Sequence, residues 1–171
     1  MKPLYLIVAT DEQNGIGKNG DLPWRLKNEL VYFQKVTSET TDASKQNMVV
    51  MGRTTWESIP ENRRPLKNRK NVVLTRQTDF VANGATVVTT IDDALALADD
   101  SVESIFVIGG ASVYEQFIAH PDLTGIYLTR LDHTFDCDAF FPEIPKSFGE
   151  PEALGGDTES EIRYNYLLYR K

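Results

Sequence analysis

The segment Ser104-Ile105-Phe106-Val107-Ile108-Gly109-Gly110-Ala111 decides the fold class, because it joins an uninterrupted apolar run to two glycines and then to a helix-like segment. A short apolar run without alternation suits a strand that is buried on both faces of a parallel sheet. Met48-Val49-Val50-Met51, followed by Gly52, repeats the arrangement. These segments predict an α/β protein with a mainly parallel sheet.

Similar apolar runs and helix-like segments alternate along the rest of the chain. The predicted strands are Leu4–Ala9, Asn47–Met51, Asn71–Thr75, Ala85–Val88, Ser104–Ile108, Gly125–Leu131 and Ile162–Arg170. The predicted helices are Arg25–Val36, Thr54–Ser58, Ile91–Asp99 and Ala111–Ala119. This alternation predicts helices on both faces of the sheet. No helix separates the last two strands, so we expect them to be antiparallel, joined by a long surface loop over Pro142–Glu161.

Composition limits the possible partners. The chain has 171 residues, 41% of them hydrophobic, which suits a single domain over residues 1–171. A formal net charge of -7 argues against nucleic-acid and anionic-membrane surfaces. The lone cysteine, Cys137, excludes an internal disulfide, and the first apolar run is too short for a membrane span or a signal peptide. We expect a cytoplasmic protein, and a monomer because no spare apolar stripe is visible.

The glycine-rich segment Gly15-Ile16-Gly17-Lys18-Asn19-Gly20 fits the G-x-G-x-x-G pattern, but it does not predict a Rossmann turn. That turn places its glycines directly between a strand and a helix, whereas here five residues follow Ala9 before the first glycine and Pro23 prevents an immediate helix. We predict a mobile loop whose apolar Leu22 and Trp24 close over a bound ring. An ordinary surface loop is the alternative.

Two strand–glycine–helix junctions predict a site for a ligand with several phosphates. The first is Gly109-Gly110 before Ala111, and the second is Gly52 before Arg53-Thr54-Thr55. First-turn amides of a helix lack internal partners and attract anions, and glycine lets a pyrophosphate approach the backbone. Arg76 follows the strand at Val72–Leu74, and arginine suits the 2′-phosphate of NADP, so NADPH is favoured over NADH. Ordinary turns and solvated arginines are the alternatives.

Glu29 is the strongest candidate for binding a substrate. At about 100° per residue, Glu29 falls in the same arc of about 120° as Leu26, Leu30, Phe33 and Val36, so an acid lies within the apolar stripe of a helix. A buried carboxylate is costly unless it has a partner, which a cationic or amidine-like heterocycle would supply. The alternative is a glutamate at the edge of the stripe that reaches solvent or an arginine.

A basic segment suggests an anionic end for the same substrate. Arg63-Arg64-Pro65-Leu66-Lys67-Asn68-Arg69-Lys70 contains five cations in eight residues and no acid. Most of these side chains should be solvated, but one arginine held by this segment could bind a carboxylate through two hydrogen bonds. The predicted substrate therefore has a ring against Glu29 and an anionic tail.

In order along the chain, these residues resemble the dihydrofolate reductase family. The matching motifs are Gly15-Ile16-Gly17 with Leu22-Pro23-Trp24, Glu29 with Phe33, Met51-Gly52-Arg53-x-Thr55-Trp56, Arg64-Pro65-Leu66, Val107-Ile108-Gly109-Gly110 with Val113-Tyr114, and Tyr127-Leu128-Thr129-Arg130. The resemblance implies an eight-stranded mixed sheet and NADPH-dependent reduction of 7,8-dihydrofolate to tetrahydrofolate for one-carbon metabolism, with hydride going to pterin C6 and a proton to N5. Antifolate-type inhibitors are implied as further ligands.

The resemblance also implies roles for individual positions. Those assigned to catalysis are Glu29, Leu22, Trp24 and Thr129, with Glu29 and Thr129 holding the pterin. Those assigned to the substrate are Ile7, Val8, Ala9, Glu29, Leu30, Phe33, Ile59, Leu66, Arg69 and Thr129, with Arg69 binding the α-carboxylate of the glutamate tail. Those assigned to the cofactor are Ala9, Ile16, Gly17, Gly52, Arg53, Thr54, Thr55, Leu74, Thr75, Arg76, Ile108, Gly109, Gly110, Ala111, Ser112, Val113 and Tyr114.

Several positions depart from the family pattern or add detail to it. Thr54 and Thr89 stand where many relatives have another basic side chain near the adenosine phosphate, and Leu30 stands where some have phenylalanine. The family implies a cis peptide between Gly109 and Gly110, and Asp138 would tether the glycine-rich loop. Two other functions are compatible with the sequence. One is a riboflavin-pathway reductase of a ribosylamino-pyrimidine on the same fold, and the other is a non-catalytic pteridine- or nucleotide-binding module.

Overall fold

Ten strands and four helices make up the computed structural model, which describes all residues from Met1 to Lys171. The strands are β1 (Leu4–Thr10), β2 (Gly15–Gly17), β3 (Gln46–Gly52), β4 (Arg69–Leu74), β5 (Thr86–Val88), β6 (Val102–Gly109), β7 (Leu123–Leu131), β8 (Ala139–Phe140), β9 (Glu152–Glu159) and β10 (Ile162–Arg170). The helices are α1 (Lys27–Ser38), α2 (Arg53–Ser58), α3 (Ile91–Ala96) and α4 (Ala111–Ile118), with short 3-10 turns at Glu61–Arg63 and Lys146–Phe148.

Eight of the strands form one mixed sheet in the order β5-β4-β3-β6-β1-β7-β10-β9. Along this order, each pair of adjacent strands from β5 through β4, β3, β6 and β1 to β7 is parallel. The strand β10 is antiparallel to both of its neighbours, β7 and β9. The short strands β2 and β8 pair separately. The expected eight-stranded, mostly parallel sheet with an antiparallel C-terminal strand is confirmed.

Helices cover both faces of this sheet because alternate side chains of its buried strands point in opposite directions. On one face Met48 and Val50 of β3 pack in a cluster with Val113 and Phe117 of α4. On the other face Val49 and Met51 pack with Trp56 of α2, and Phe33 and Val36 of α1 lie against that cluster. No helix of the protein has both the length and the apolar character needed to cross a membrane.

The predicted surface loop over Pro142–Glu161 is wrong, because this segment contains the strand β9. The strand lies at the edge of the sheet, and its side chains are exposed except for the partly exposed Glu159. Backbone hydrogen bonds to β10 are sufficient to hold an edge strand, so no apolar alternation marks it in the sequence. Smaller differences concern the helix ends: α1 begins at Lys27 rather than Arg25, and α3 ends at Ala96 rather than Asp99.

The carboxyl ends of β1, β3, β4 and β6 lie along one edge of the sheet, since these strands are parallel. The predicted cis peptide between Gly109 and Gly110 is confirmed at the end of β6. Directly after it, Tyr114 of α4 donates its hydroxyl hydrogen to the Ile7 carbonyl of β1 at 2.6 Å. This edge is where the fold brings the predicted site residues together.

Candidate active site

A single large cleft of about 1410 Å³ runs along the carboxyl edge of the parallel strands. Pockets for one small ligand usually have volumes of about 300–1,000 Å³. The volume and elongated lining therefore suit two ligands side by side, one toward α1 and one toward the glycine junctions of α2 and α4.

Most of the predicted site residues line this cleft. They are Ile7, Val8, Ala9, Ile16, Gly17, Leu22, Glu29, Leu30, Phe33, Gly52, Arg53, Thr54, Thr55, Ile59, Leu66, Arg69, Leu74, Thr75, Arg76, Ile108, Gly110, Ala111, Ser112, Val113 and Tyr114. Three predicted residues do not line it: Trp24, Gly109 and Thr129. Thr129 of β7 is directly opposite Ala9 of β1 in the sheet, and it is almost fully buried.

Glu29 is the one buried acid of the cleft wall, with 7% of its surface exposed. Its carboxylate forms no ion pair with any Lys or Arg of the chain. Burial raises the pKa of Glu29 to about 7, the Thr129 hydroxyl opposes part of that rise, and the negative charge of Glu159 adds to it. A carboxyl group in this setting exchanges a proton near neutral pH and is available to a nitrogen heterocycle.

Apolar side chains line the part of the cleft next to Glu29. Phe33, Ile59 and Leu66 are partly buried against the core. Leu22 and Leu30 remain 42% and 50% exposed, although both line the cleft. Exposed apolar side chains inside a cavity gain stability when a flat ring covers them.

Arg69 lines the same cleft and is partly buried. Its guanidinium donates to the Thr37 hydroxyl at 2.9 Å and to the Lys67 carbonyl at 2.8 Å, and burial lowers its pKa. No carboxylate of the protein pairs with it. Two neutral oxygens thus orient a cation whose charge is free to bind an anionic tail.

The opposite end of the cleft suits phosphates. Neither α2 nor α4 has a side-chain cap, so the first amides of each helix have no side-chain acceptor. A Cβ atom at Gly110 would lie 3.4 Å from the Thr55 hydroxyl, and one at Gly52 would lie 3.0 Å from Val113. Any larger residue would therefore narrow the groove between the two junctions. With glycine at both positions, the groove is wide enough for a pyrophosphate to approach the backbone.

The two predicted phosphate arginines differ in their surroundings. Arg53 forms an ion pair with Glu57 at 3.0 Å, one turn later in α2. Arg76 is exposed and forms no ion pair. Of the two arginines, Arg76 is therefore the one whose charge has no acidic partner in the protein.

The glycine-rich loop between β2 and Trp24 borders the cleft. Asn19 donates its N–H to Asp138 at 3.1 Å, and Asp138 donates its own N–H to the Gly17 carbonyl at 2.9 Å, so the predicted tether is confirmed. Leu22 faces the cleft, but Trp24 is 5% exposed and packs on Phe135 with ring centroids 5.2 Å apart. Trp24 is thus fixed in the core, where it also lines a smaller cavity of about 250 Å³ beside Glu29.

Sequence reasoning missed several lining residues and the charged groups that support the wall. The additional lining residues include Gly20, Asp21, Arg25, Gln34, Ser58, Pro60, Arg63, Gln77, Glu115, Gln116 and Ala139. Asp11 and Glu159 were missed as supporting groups. Each bonds to backbone far along the chain, Asp11 to Phe135 and Glu159 to Asn28, and no local pattern signals such a contact.

Comparison with known proteins gives one consistent result. The family model described as dihydrofolate reductase matches residues 3–171. Dihydrofolate reductase of Drosophila melanogaster is 43% identical over 97% of this chain and 96% of that protein. The enzyme of Bos taurus is 42% identical over 100% of this chain and 98% of that protein. A bifunctional dihydrofolate reductase-thymidylate synthase of Arabidopsis thaliana is 46% identical over 96% of this chain and 33% of its own length.

Proposed function

The chain belongs to the dihydrofolate reductase family, and on that premise we propose that Glu29 is the group that binds and orients the pterin in this protein. The protein reduces 7,8-dihydrofolate to 5,6,7,8-tetrahydrofolate and is an oxidoreductase that uses NADPH. One observation carries the role of Glu29: a carboxyl group without a cationic partner is buried in the wall of a cleft large enough for two ligands. A pterin supplies the missing partner through its 2-amino group and N3.

Glu29 then assists the transfer of the proton to the pterin and not the transfer of the hydride. Its hydrogen bonds fix the ring in one orientation, and its pKa of about 7 keeps a proton near the pterin at neutral pH, which promotes protonation at N5. Thr129, behind Glu29, helps to hold the carboxyl group and the 2-amino group. Leu22, on the side of the loop that faces the cleft, covers the cleft and keeps water from the reacting atoms. The buried Trp24 holds the end of that loop in place.

The remaining substrate contacts follow from the cleft wall. Ile7, Val8, Ala9, Leu30, Phe33, Ile59 and Leu66 pack on the pterin and the aminobenzoyl unit. Arg69 binds the α-carboxylate of the glutamate tail, because its guanidinium is oriented by neutral oxygens and carries an unpaired charge. Ring and tail are thus bound at separate ends of one apolar surface.

NADPH, when bound, supplies the hydride for the reduction. The residues proposed to hold it are Ala9, Ile16, Gly17, Gly52, Arg53, Thr54, Thr55, Leu74, Thr75, Arg76, Ile108, Gly109, Gly110, Ala111, Ser112, Val113 and Tyr114. They fit such a ligand, since uncapped helix amides and close glycines form the groove and Arg76 lies at its outer end. Two ligands held in one cleft bring the reacting atoms together without loss of orientation.

A steady-state assay tests this proposal. NADPH oxidation is followed at several pH values with dihydrofolate, for the wild type, for Glu29→Gln and for Glu39→Gln, which alters an exposed glutamate just beyond α1. Glu29→Gln should lower turnover near pH 7 by about 10²–10⁴-fold, with partial recovery at low pH, when solvent protonates the substrate directly. Glu39→Gln should behave as the wild type. Normal turnover of Glu29→Gln near neutral pH would refute the role of Glu29, and ligand binding without turnover by the wild type would indicate a non-catalytic module.

We further propose that residues 1–171 act as one domain, in the cytoplasm, as a monomer that antifolate-type inhibitors bind in the same cleft. One sheet runs through the whole chain and both of its faces are covered by the chain's own helices, which supports the first and third points. The single Cys137 suits a reducing compartment. Inhibitors that present an amidine-like ring would satisfy Glu29 as the substrate does.

A further inference from the structure

The amino end of α1 is held by a strand that is distant in sequence. Leu26 occupies the cap position and has no side-chain oxygen, so the helix has no cap of its own. Instead, Asn28 donates its backbone N–H to Glu159 Oε1 at 2.8 Å, and its side-chain amide donates to Asp157 Oδ2 at 2.9 Å. The end of β9 thus provides the acceptor that the first turn of α1 lacks.

Glu159 is itself fixed in place. The hydroxyl of Tyr164 in β10 donates to the same Oε1 atom that binds Asn28. Tyr164 is fully buried and packs with Trp24 and Leu26, which lie just before α1. The carboxylate of Glu159 therefore joins the β9–β10 hairpin to the helix that carries Glu29, through partners that cannot rotate freely.

We propose that Glu159 is a positioning residue for the reduction: its carboxylate holds the first turn of α1 at Asn28, the residue next to Glu29, and places a negative charge at this end of the helix. The inference rests on the proposed role of Glu29. It adds a residue that touches neither the substrate nor the cofactor and lies in the last hairpin of the chain.

The groups around Glu29 support the electrostatic part of the proposal. Thr129 of β7 faces the acid but does not titrate, whereas Tyr32 of α1, Tyr114 of α4 and Tyr166 of β10 do. Burial raises the pKa of all three tyrosines, so they stay uncharged at neutral pH. Asp21, Arg25 and Lys27 line the small cavity beside Glu29, but the charge that raises its pKa is that of Glu159.

Two conservative variants separate the two roles of Glu159. Glu159→Gln keeps an oxygen acceptor for Asn28 and removes the charge, whereas Glu159→Asp keeps the charge and shortens the reach by one methylene. The pKa of Glu29 is read by ¹³C NMR of labelled glutamate side chains in the ligand-free protein, and kcat and KM are measured against pH. Asp157→Asn is the matched control, because Asp157 lies in the same hairpin and also contacts Asn28. Its charge does not shift the pKa of Glu29.

We expect Glu159→Gln to lower the pKa of Glu29 by about half a unit and to shift the kinetic pH profile equally, with KM close to the wild-type value. Glu159→Asp should leave the pKa near that of the wild type and raise KM for dihydrofolate several-fold, because Asn28 loses its acceptor. Asp157→Asn should leave the NMR titration and the kinetic profile unchanged.

An unchanged titration in Glu159→Gln together with an unchanged KM in Glu159→Asp would overturn the proposal, as would an equal shift in Asp157→Asn. Amide NMR spectra show whether each variant keeps the native fold. Failure here is distinct from failure of the proposed role of Glu29: in the first case Glu29→Gln still loses turnover, and in the second it does not.

Discussion

At the scale of single residues, the site depends on an acidic and a cationic side chain that have no oppositely charged partner in the chain. Glu29 is buried without a cation, and Arg69 is half-buried without a carboxylate. Each arrangement costs stability in the free protein, because a charged group loses hydration and gains no opposite charge. In the proposed function the substrate supplies the missing partner of each group, which is how a binding site differs from a structural ion pair.

The first prediction concerns the cost of keeping Glu29 in the wall. Its pKa rises from 4.5 to about 7 on folding, so between these pH values the native state holds more protons than the unfolded state, and the free energy of unfolding falls as the pH rises. Above pH 7 the full penalty, on the order of 3 kcal/mol, is present. Glu29→Gln should therefore be more stable than the wild type by up to about this amount at pH 8, and equally stable at pH 4.

Urea unfolding at pH 4, 6 and 8 measures this difference. A gap between the two proteins that stays constant over this range would contradict the raised pKa of Glu29, since a constant gap reflects packing and not titration. Glu39→Gln, at an exposed position, serves again as the control.

The second prediction concerns the choice of cofactor. Arg76 has no acidic partner, whereas Arg53 is paired with Glu57. A charged hydrogen bond contributes about 1.5–3 kcal/mol, so Arg76→Gln should raise KM for NADPH by about 10–100-fold and leave KM for NADH nearly unchanged. Arg163→Gln, which alters an exposed arginine of β10 that does not line the cleft, should change neither constant. Equal losses with both cofactors would show that Arg76 does not bind the 2′-phosphate.

At the scale of elements, two loops meet beside the cleft and are joined by the buried Asp11. Its carboxylate accepts the N–H groups of Gln13 at 2.9 Å, Gly15 at 2.7 Å and Phe135 at 2.9 Å. Burial alone would raise the pKa of Asp11, but these three bonds outweigh it and hold the pKa below its ordinary value of 3.8. The loop that carries Leu22 is therefore anchored at its base by Asp11 and more weakly at its tip by exposed Asp138.

The third prediction follows from this difference in burial. Asp11→Ala leaves three N–H groups without an acceptor and should lower the free energy of unfolding at pH 7 by about 3 kcal/mol or more. Asp138→Ala loses a single exposed side-chain bond and should cost under about 1 kcal/mol. Because the folded pKa of Asp11 is lowered, its contribution is present above pH 4 and lost as the pH falls through that pKa.

Urea midpoints at pH 7 and pH 3 test this prediction for both variants. The gap between the wild type and Asp11→Ala should narrow at the lower pH. If Asp138→Ala proves as destabilising as Asp11→Ala, the tip and not the base of the loop is the main anchor.

The helices and strands that were predicted correctly are those whose own residues carry a clear pattern. Every buried parallel strand was found within a few residues, because an apolar run is a local signal. The strand β9 was not found, since its mostly exposed residues Glu152–Glu159 include Gly155-Gly156 and three acids, which are typical of a loop. Its place depends on hydrogen bonds to β10, and pairing of an edge strand leaves no pattern in its own side chains.

At the scale of the whole molecule, the single sheet couples all parts of the chain. Trp24 lies in a cluster with Leu131 and Tyr164, whereas Trp56 lies in a separate cluster with Val49 and Met51. The two clusters share no buried residue, but the strands that contribute to them belong to the same eight-stranded sheet. A sheet that opens at one cluster loses the strand pairing that supports the other.

The fourth prediction is that both clusters unfold together. Trp24→Phe leaves Trp56 as the only fluorescent indole, and Trp56→Phe leaves Trp24. In each variant the urea midpoint from tryptophan fluorescence should coincide with the midpoint from far-ultraviolet circular dichroism, as expected for one cooperative domain. A fluorescence transition that precedes the loss of secondary structure in either variant would show that residues 1–171 do not unfold as one unit.

The sequence by itself determined the class of sheet, the two strand–glycine–helix junctions that border the cleft, and the anomaly of an acid on an apolar helix face. All of these are local signals, set by residues within a few positions of one another. Only the tertiary structure decided that Thr129 lies behind Glu29, that Trp24 is buried and not part of the lid, and that Glu159 binds the first turn of α1. Asn28 and Glu159 are 131 positions apart. Contacts at such separation arise from strand order and packing, because residues far apart in the chain meet only after the sheet has formed.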